Sequence, residues 1–310
     1  AKVLEREKLR AYRIEDLDRI LADVKTDVKM QVVRNDEGSP SSGSSAVAAM
    51  VGLGLGMVLY MFLMIYGAMV MQSVIEEKSS RVLEVVVSSV RPFELMMGKI
   101  FGVASVAVVQ VLIWAVLVCG AGAAVMPHVL PDGAMEAAAA LQQGGGAATA
   151  AAGDFDPETL GAIALATDVG YLAMLFGYLL LFVVGGYLLY SAMFAAVGSA
   201  VDNAQDAAQL QTPIMIPIIL AVIVEMSVLN DPNSPLAFWF SLIPFTSPVV
   251  MMARIPYGIP TWEIVLSLVL LYAAFVGMVW LSAKIYRVGI FMYGKKPTLR
   301  EMFRWIRYKY

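Results

Sequence analysis

The residues able to do chemistry in this chain are few and stand far apart. Glu76 and Glu77 supply adjacent carboxylates, Glu225 a lone acid within Val222-Ile-Val-Glu-Met-Ser227, and Cys119 and His128 one thiol and one imidazole. Paired carboxylates act as acid and base only when both reach one bond. Neighbours on a helix point about 100° apart, so Glu76 and Glu77 form no such pair. A single cysteine excludes an intrachain disulfide and a cysteine-built metal site. His128, alone among prolines, makes neither a metal site nor a catalytic pair. Gly289-Ile-Phe-Met-Tyr-Gly-Lys-Lys296 comes close to a phosphate-binding loop. Bulky Ile, Phe, Met and Tyr fill the positions that need small residues, however, and Lys296 stands where a magnesium-binding hydroxyl belongs. The expectation is therefore no catalytic residue, no metal ligands and no cofactor in this chain.

The polar residues that do form a pattern lie between Gln72 and Ser89. On a helix over 73–89, Glu77, Arg81, Glu84 and Ser88 are spaced 4, 3 and 4 and make one stripe, with Val82, Val85 and Val86 on another face. The Glu77–Arg81 and Arg81–Glu84 offsets permit ion pairs worth only about 0.2–0.5 kcal/mol each. Such a helix can lie at a membrane surface, charges toward water and valines toward lipid or a bundle. On these residues alone, a solvated amphipathic connector is the preferred reading over a docking element.

The elements that must position this stripe are membrane spans. The chain of 310 residues is 59% hydrophobic and only 15% charged, too apolar for a water-soluble core of this size. Its net charge of −3 argues against nucleic acid as a partner. Long charge-free runs predict an all-α polytopic membrane protein with five spans, near 46–71, 100–122, 170–195, 207–228 and 264–284. Four prolines in Pro232–Ala253 argue for a broken or re-entrant element rather than a sixth span. Residues 127–168, rich in Ala and Gly, read as a flexible outer loop with one short helix. Residues 1–37 carry nine basic and nine acidic side chains at helical spacing, followed by a Gly/Ser linker, so 1–45 form a soluble segment. Basic residues crowd 72–99 and a tail over 291–310, whereas 127–168 has none. That asymmetry puts 72–99 and the C-terminus in the cytoplasm and 1–45 outside. The tail pattern, Leu299, Met302, Phe303 and Ile306 against Arg300, Arg304 and Arg307, predicts a surface helix on anionic lipid. Within the fourth span, Pro213 and Pro217 should kink the helix. An ionisable Glu225 there marks a candidate transport path, although three residues from the polar end it can also reach the headgroups. Gly185-Gly186 should bend the third span.

Glu76-Glu-Lys-Ser-Ser-Arg-Val-Leu-Glu84, with Ser88-Ser-Val-Arg-Pro-Phe-Glu-Leu and Gly98-Lys99, closely resembles the ABC-2 type permease family in its sodium-exporter (NatB-like) branch. Ala192-Met-Phe-Ala-Ala-Val-Gly-Ser-Ala-Val-Asp202, Ile243-Pro-Phe-Thr-Ser-Pro248 and Ala283-Lys-Ile-Tyr-Arg-Val-Gly-Ile290 agree with it, so the resemblance runs over roughly 46–300. It implies a permease subunit of the bacterial cytoplasmic (inner) membrane, paired with a second permease half. Both halves would be driven by cytoplasmic ABC ATPase subunits that carry the ATP and magnesium. A cytoplasmic coupling helix would dock on each ATPase, which assigns ATPase coupling to Glu76, Glu77, Lys78, Arg81 and Glu84. The resemblance further implies that 1–45 end a larger extracytoplasmic domain, that a first span precedes it, and that the cargo is sodium or a drug- or lipid-like compound. The alternatives are a secondary transporter driven by an ion gradient and, on weaker grounds, a membrane-embedded enzyme.

Overall fold

Apolar runs too long for anything but spanning helices become five of them in a computed structural model that describes residues 45–80, 90–130, 133–142, 157–292, 294 and 298–305. In chain order the elements are α1 (Ser45–Ser79), α2 (Pro92–Val129), α3 (Ala134–Gln142), α4 (Pro157–Thr167) and α5 (Val169–Ala200). There follow α6 (Ala204–Val228), α7 (Pro235–Leu242), α8 (Ser247–Arg254), a 3-10 turn (Ile255–Tyr257), α9 (Thr261–Gly289) and α10 (Leu299–Trp305). Helices α1, α2, α5, α6 and α9 are long and apolar enough to cross a membrane. No strand occurs among the described residues. The chain is an all-α, multi-pass membrane protein.

The bundle is organised around α5. Half of its most apolar stretch is buried, against a fifth to a third for the other four spans, and α1, α2, α6, α8 and α9 all pack on it. Its sequence explains this place. In lipid the helices gain little from burying apolar surface, so close backbone approach decides which of them pack. The second half of α5 is rich in small residues, with Gly185, Gly186, Ser191, Ala192, Ala195, Ala196, Gly198, Ser199 and Ala200 all buried. A Cβ at Gly198 would lie 2.7 Å from the Met71 carbonyl oxygen of α1, and one at Gly185 would lie 2.8 Å from Leu271 of α9. Helix α5 thus runs on through Gly185 and Gly186, which serve as contact points for its neighbours. The outer faces stay apolar and uncovered, as at Val109, Leu112, Val116 and Leu117 of α2. Cys119 is exposed there too.

The region 232–254 divides as its prolines require. Pro235 opens α7 and Pro248 stands in the first turn of α8, where a missing amide hydrogen costs nothing. Pro244 lies in the turn between them. Pro213 and Pro217 sit inside α6, which nonetheless continues through both as one helix, with the Gln209 and Pro213 carbonyls deprived of their amide donors.

Two expectations need correction. The loop 127–168 holds more helix than composition suggested: α2 runs on to Val129, and α3 and α4 follow. Alanine is the strongest helix former, and Ala134, Ala137, Ala138 and Leu160 are buried where α3 and α4 pack together. Among the described residues, the start of the expected 73–89 coupling helix is not a separate element. Residues 73–79 are the last turns of α1 and Ser80 is the turn that follows, because nothing breaks the helix here and its polar side chains find partners. Residues 81–89, with Arg81 and Glu84, lie outside the described residues, as do nearly all of 1–45.

If close approach organises the bundle, Gly198→Ala should destabilise it by about 1–3 kcal/mol through overpacking against α1. Gly177→Ala, in the same helix but with open space around it, should be neutral or gain up to about 1 kcal/mol of helix propensity. Thermal unfolding in detergent checks the pair, and equal midpoints would contradict the packing argument.

Candidate functional site

The charged residues at the end of α1 point in two directions. Lys78 is fully buried. Its Nζ donates to the Ser199 carbonyl at 2.8 Å and the Gly289 carbonyl at 2.9 Å, and pairs with Asp202 Oδ1 at 3.1 Å. Ser199 and Gly289 each lie in the last turn of a helix, α5 and α9 respectively. Carbonyls in a last turn lack intrahelical donors and carry the negative end of the helix dipole. One ammonium with three hydrogens therefore caps two helix ends and meets one carboxylate. The two ends can come so close because Gly289 has no side chain: a Cβ there would lie 2.8 Å from Ser199 Oγ and 2.9 Å from its carbonyl oxygen. Asp202, just beyond α5, extends the joint, since its Oδ2 accepts from the Gly294 amide at 2.7 Å. Gly294 has φ +75°, which favours glycine. Both glycines of the phosphate-loop lookalike thus have structural work.

Glu77, one residue back and about 100° around the helix, faces α2. Its Oε2 meets Lys99 Nζ at 2.7 Å, and the same nitrogen donates to the Ser73 carbonyl and hydroxyl, each at 3.1 Å. The adjacency that disqualified Glu76 and Glu77 as a carboxylate pair suits Glu77 and Lys78 as a two-way joint. Glu76 is exposed, and its Oε1 accepts from Gln72 Nε2 at 3.2 Å. Of the described candidates, Glu76 is open to a partner and Glu77 is half-open. Lys78, fully buried, is placed to orient the stretch rather than to contact a partner. The same end of the bundle carries an open cleft lined by Arg91, Pro92, Phe93, Glu94, Arg287 and Phe291. Helix α10 follows, capped by reciprocal bonds between Thr298 and Glu301, with Met302 and Trp305 buried and Arg300 and Arg304 exposed.

The opposite end is tied by Arg254 of α8. Its Nε donates to the Pro232 carbonyl at 2.8 Å, Nη1 to Ser241 Oγ at 2.7 Å, and Nη2 pairs with Glu263 Oε2 at 2.9 Å. Burial lowers the guanidinium from its ordinary value, and the Glu263 carboxylate pulls it back up. This cation is the only basic residue of 226–263, and it is an internal tie rather than a topology signal. Glu225, which by its position could reach the headgroups, is instead fully buried.

Sequence reasoning singled out Glu77 and Lys78 but missed their partners Lys99, Asp202, Ser199 and Gly289, and also the Arg254–Glu263 tie. One signal was present: Lys99 and Asp202 are the charges that bound two of the apolar runs, and charges at span ends on one side of a membrane share a plane. If Lys78 holds the joint, Lys78→Met should cost on the order of 3 kcal/mol, since two helix ends and a carboxylate lose their cation. Lys99→Met, at a half-open pair, should cost no more than about 1 kcal/mol. Adding Asp202→Asn to Lys78→Met should restore part of the loss. Denaturant unfolding in micelles measures all three, and equal losses for the two lysines would refute the joint.

The comparisons with known proteins agree with this architecture. Residues 11–284 match the family model described as ABC-2 family transporter protein. Among curated relatives, the uncharacterized protein YhaP of Bacillus subtilis is 27% identical over 246 residues, covering 79% of this chain and 52% of the relative. An uncharacterized protein of Methanocaldococcus jannaschii is 27% identical over 260 residues, covering 83% of this chain and 54% of the relative. The chain spans about half the length of these relatives. No solved structure matches it. With the family model spanning most of the chain and five helices fit to cross a membrane, the chain belongs to the ABC-2 family of transporter proteins.

Proposed function

We propose that the chain is the membrane-spanning permease subunit of an ATP-driven exporter in the cytoplasmic membrane of a bacterium. It would work with a second permease half on a cytoplasmic ABC ATPase that binds ATP and magnesium. The observation that carries this reading is the joint at the end of α1. A push on the stretch Glu76–Glu84 reaches α2 through Glu77 and Lys99, and α5 and α9 through Lys78. An element held this way is suited to transmit force into a bundle, whereas a solvated connector needs no buried lysine. Family membership supports the permease role. The proposed cargo is sodium, on the resemblance to the sodium-exporter branch, with a drug- or lipid-like compound as the alternative. The proposed orientation places the ends of α1 and α9 and the start of α2 in the cytoplasm, on the density of basic residues there.

Arg81→Glu puts three acids on one stripe with Glu77 and Glu84. Within an isolated helix, like charges at these offsets cost only a few tenths of a kcal/mol, so folding should survive. A mismatched charge at a protein interface costs several kcal/mol. Arg81→Glu should therefore lose co-purification with the ATPase, or lose ATP-dependent export, while Arg307→Glu keeps both. Full export by Arg81→Glu would leave the stripe a solvated face. Orientation is read separately, from single cysteines in a Cys119→Ser background with an impermeant thiol reagent on intact cells. Ser42→Cys should label, and Ser80→Cys and Thr298→Cys should not; the reverse pattern would invert the topology.

A further inference from the structure

Glu225 is fully buried in α6, and neither carboxylate oxygen has a hydrogen-bond partner among the described residues. Its carboxylate fills the space beside Gly56 of α1, where a Cβ would run into it. One turn earlier, Gly52 lets α1 press in the same way on the Ala253 carbonyl of α8. The carboxyl therefore crosses a seam between α1 and α6 that glycines hold tight.

Among the described residues, no counter-charge is left for it on the elements packed against α6. The facing half of α1, from Ser45 to Leu59, has no titratable residue, and α7 has none. Helix α8 offers Arg254, whose guanidinium is engaged with Pro232, Ser241 and Glu263. On α5, the Tyr187 and Tyr190 hydroxyls donate to the Ile100 and Phe245 carbonyls, and Asp168 caps the Tyr171 amide. The Tyr257 hydroxyl of the neighbouring turn is buried without a partner and carries no charge. Nowhere among the described residues do three His, Cys, Asp or Glu side chains gather as a metal site would need. An ionised carboxylate in an apolar interior with no cation costs far more than folding can supply, whereas a protonated one is an ordinary polar group.

We propose that Glu225 is a proton-binding site of the permease, and that the α1–α6 seam closes over its protonated carboxyl. When the seam opens to water, the carboxyl O–H bond breaks, a water molecule takes the proton, and the carboxylate left behind is hydrated. Each opening and closing of the seam then releases and takes up one proton at this position. The inference does not depend on an ATPase partner, so its test is separate from that of the exporter reading.

Infrared spectra of the full chain in lipid nanodiscs read the proton directly. At about pH 7, where a water-exposed glutamate is ionised, wild type minus Glu225→Gln should show the carbonyl stretch of a protonated carboxylic acid. Gly56→Ala, whose methyl group meets the carboxyl, should lose most of that band. A hydrophobic carbodiimide, which adds to protonated carboxyls, should label Glu225 by mass spectrometry, fail to label Glu225→Gln, and be indifferent to added sodium chloride. Glu225→Gln is isosteric and removes no hydrogen bond seen in the structure, so it should fold. No Glu225-dependent acid band would overturn the proposal. A band unchanged in Gly56→Ala would separate it from the seam and overturn it likewise. Protection by sodium would make this a metal-cation site instead.

Discussion

Three helices of this bundle end at one nitrogen. The approach of α1, α5 and α9 depends on the Lys78 ammonium meeting two last-turn carbonyls and Asp202. Without a cation there, the ends of α5 and α9 would bring two negative dipole ends together, at a distance that allows no side chain on Gly289. The small residues of α5 and the register of α9 are coordinated with this arrangement. Close packing along the seam is useful only if the ends that close packing brings together can be satisfied.

The other end solves a similar problem differently. Arg254 presents a planar, five-donor head to a loop carbonyl, a serine hydroxyl and a carboxylate at once, and so ties α7, α8 and α9 to the loop after α6. The ring of Phe238 lies 6.0 Å from the guanidinium carbon, at the limit of a cation–π contact. A compact ammonium suits the convergence of helix axes at one end, and a flat fork suits the scattered acceptors of short, broken helices at the other. Among the described buried residues, Glu225 is the one charged type that stands outside these two ties.

How much of this could be read from the chain follows from the physics of each feature. The five spans were legible because lipid excludes charge, and charge-free runs survive any tertiary arrangement. The break at 232–254 was legible because proline acts locally. Helix ends were not, since α1 continues past its apolar run into Glu76, Glu77 and Lys78, where side chains find partners that hydropathy does not register. The alanine-rich stretch looked floppy by composition, although Ala137 and Ala138 pack α3 on α4. The stripe around Glu77 was visible as a helical spacing, but Asp202 lies over a hundred residues away and nothing local links it to Lys78. Glu225 was noticed as an acid near a span end. Its burial depends on Gly56 of another helix, and one sequence does not state which helices touch.

Helix α1 has a mechanical consequence as well. Its 35 residues form one unbroken rod, about 52 Å long at 1.5 Å per residue, longer than the roughly 30 Å of hydrocarbon it must cross. Lys78 sits near one end and Gly56 lies about 33 Å along it. Were it to tilt about its best-anchored point, the Lys78 ammonium, such a rod would act as a lever. A tilt of about 5° around Lys78 sweeps Gly56 sideways by about 3 Å, close to the diameter of a water molecule. The same tilt barely moves the Lys78 end, so the gearing would reside in the unbroken length of a single helix.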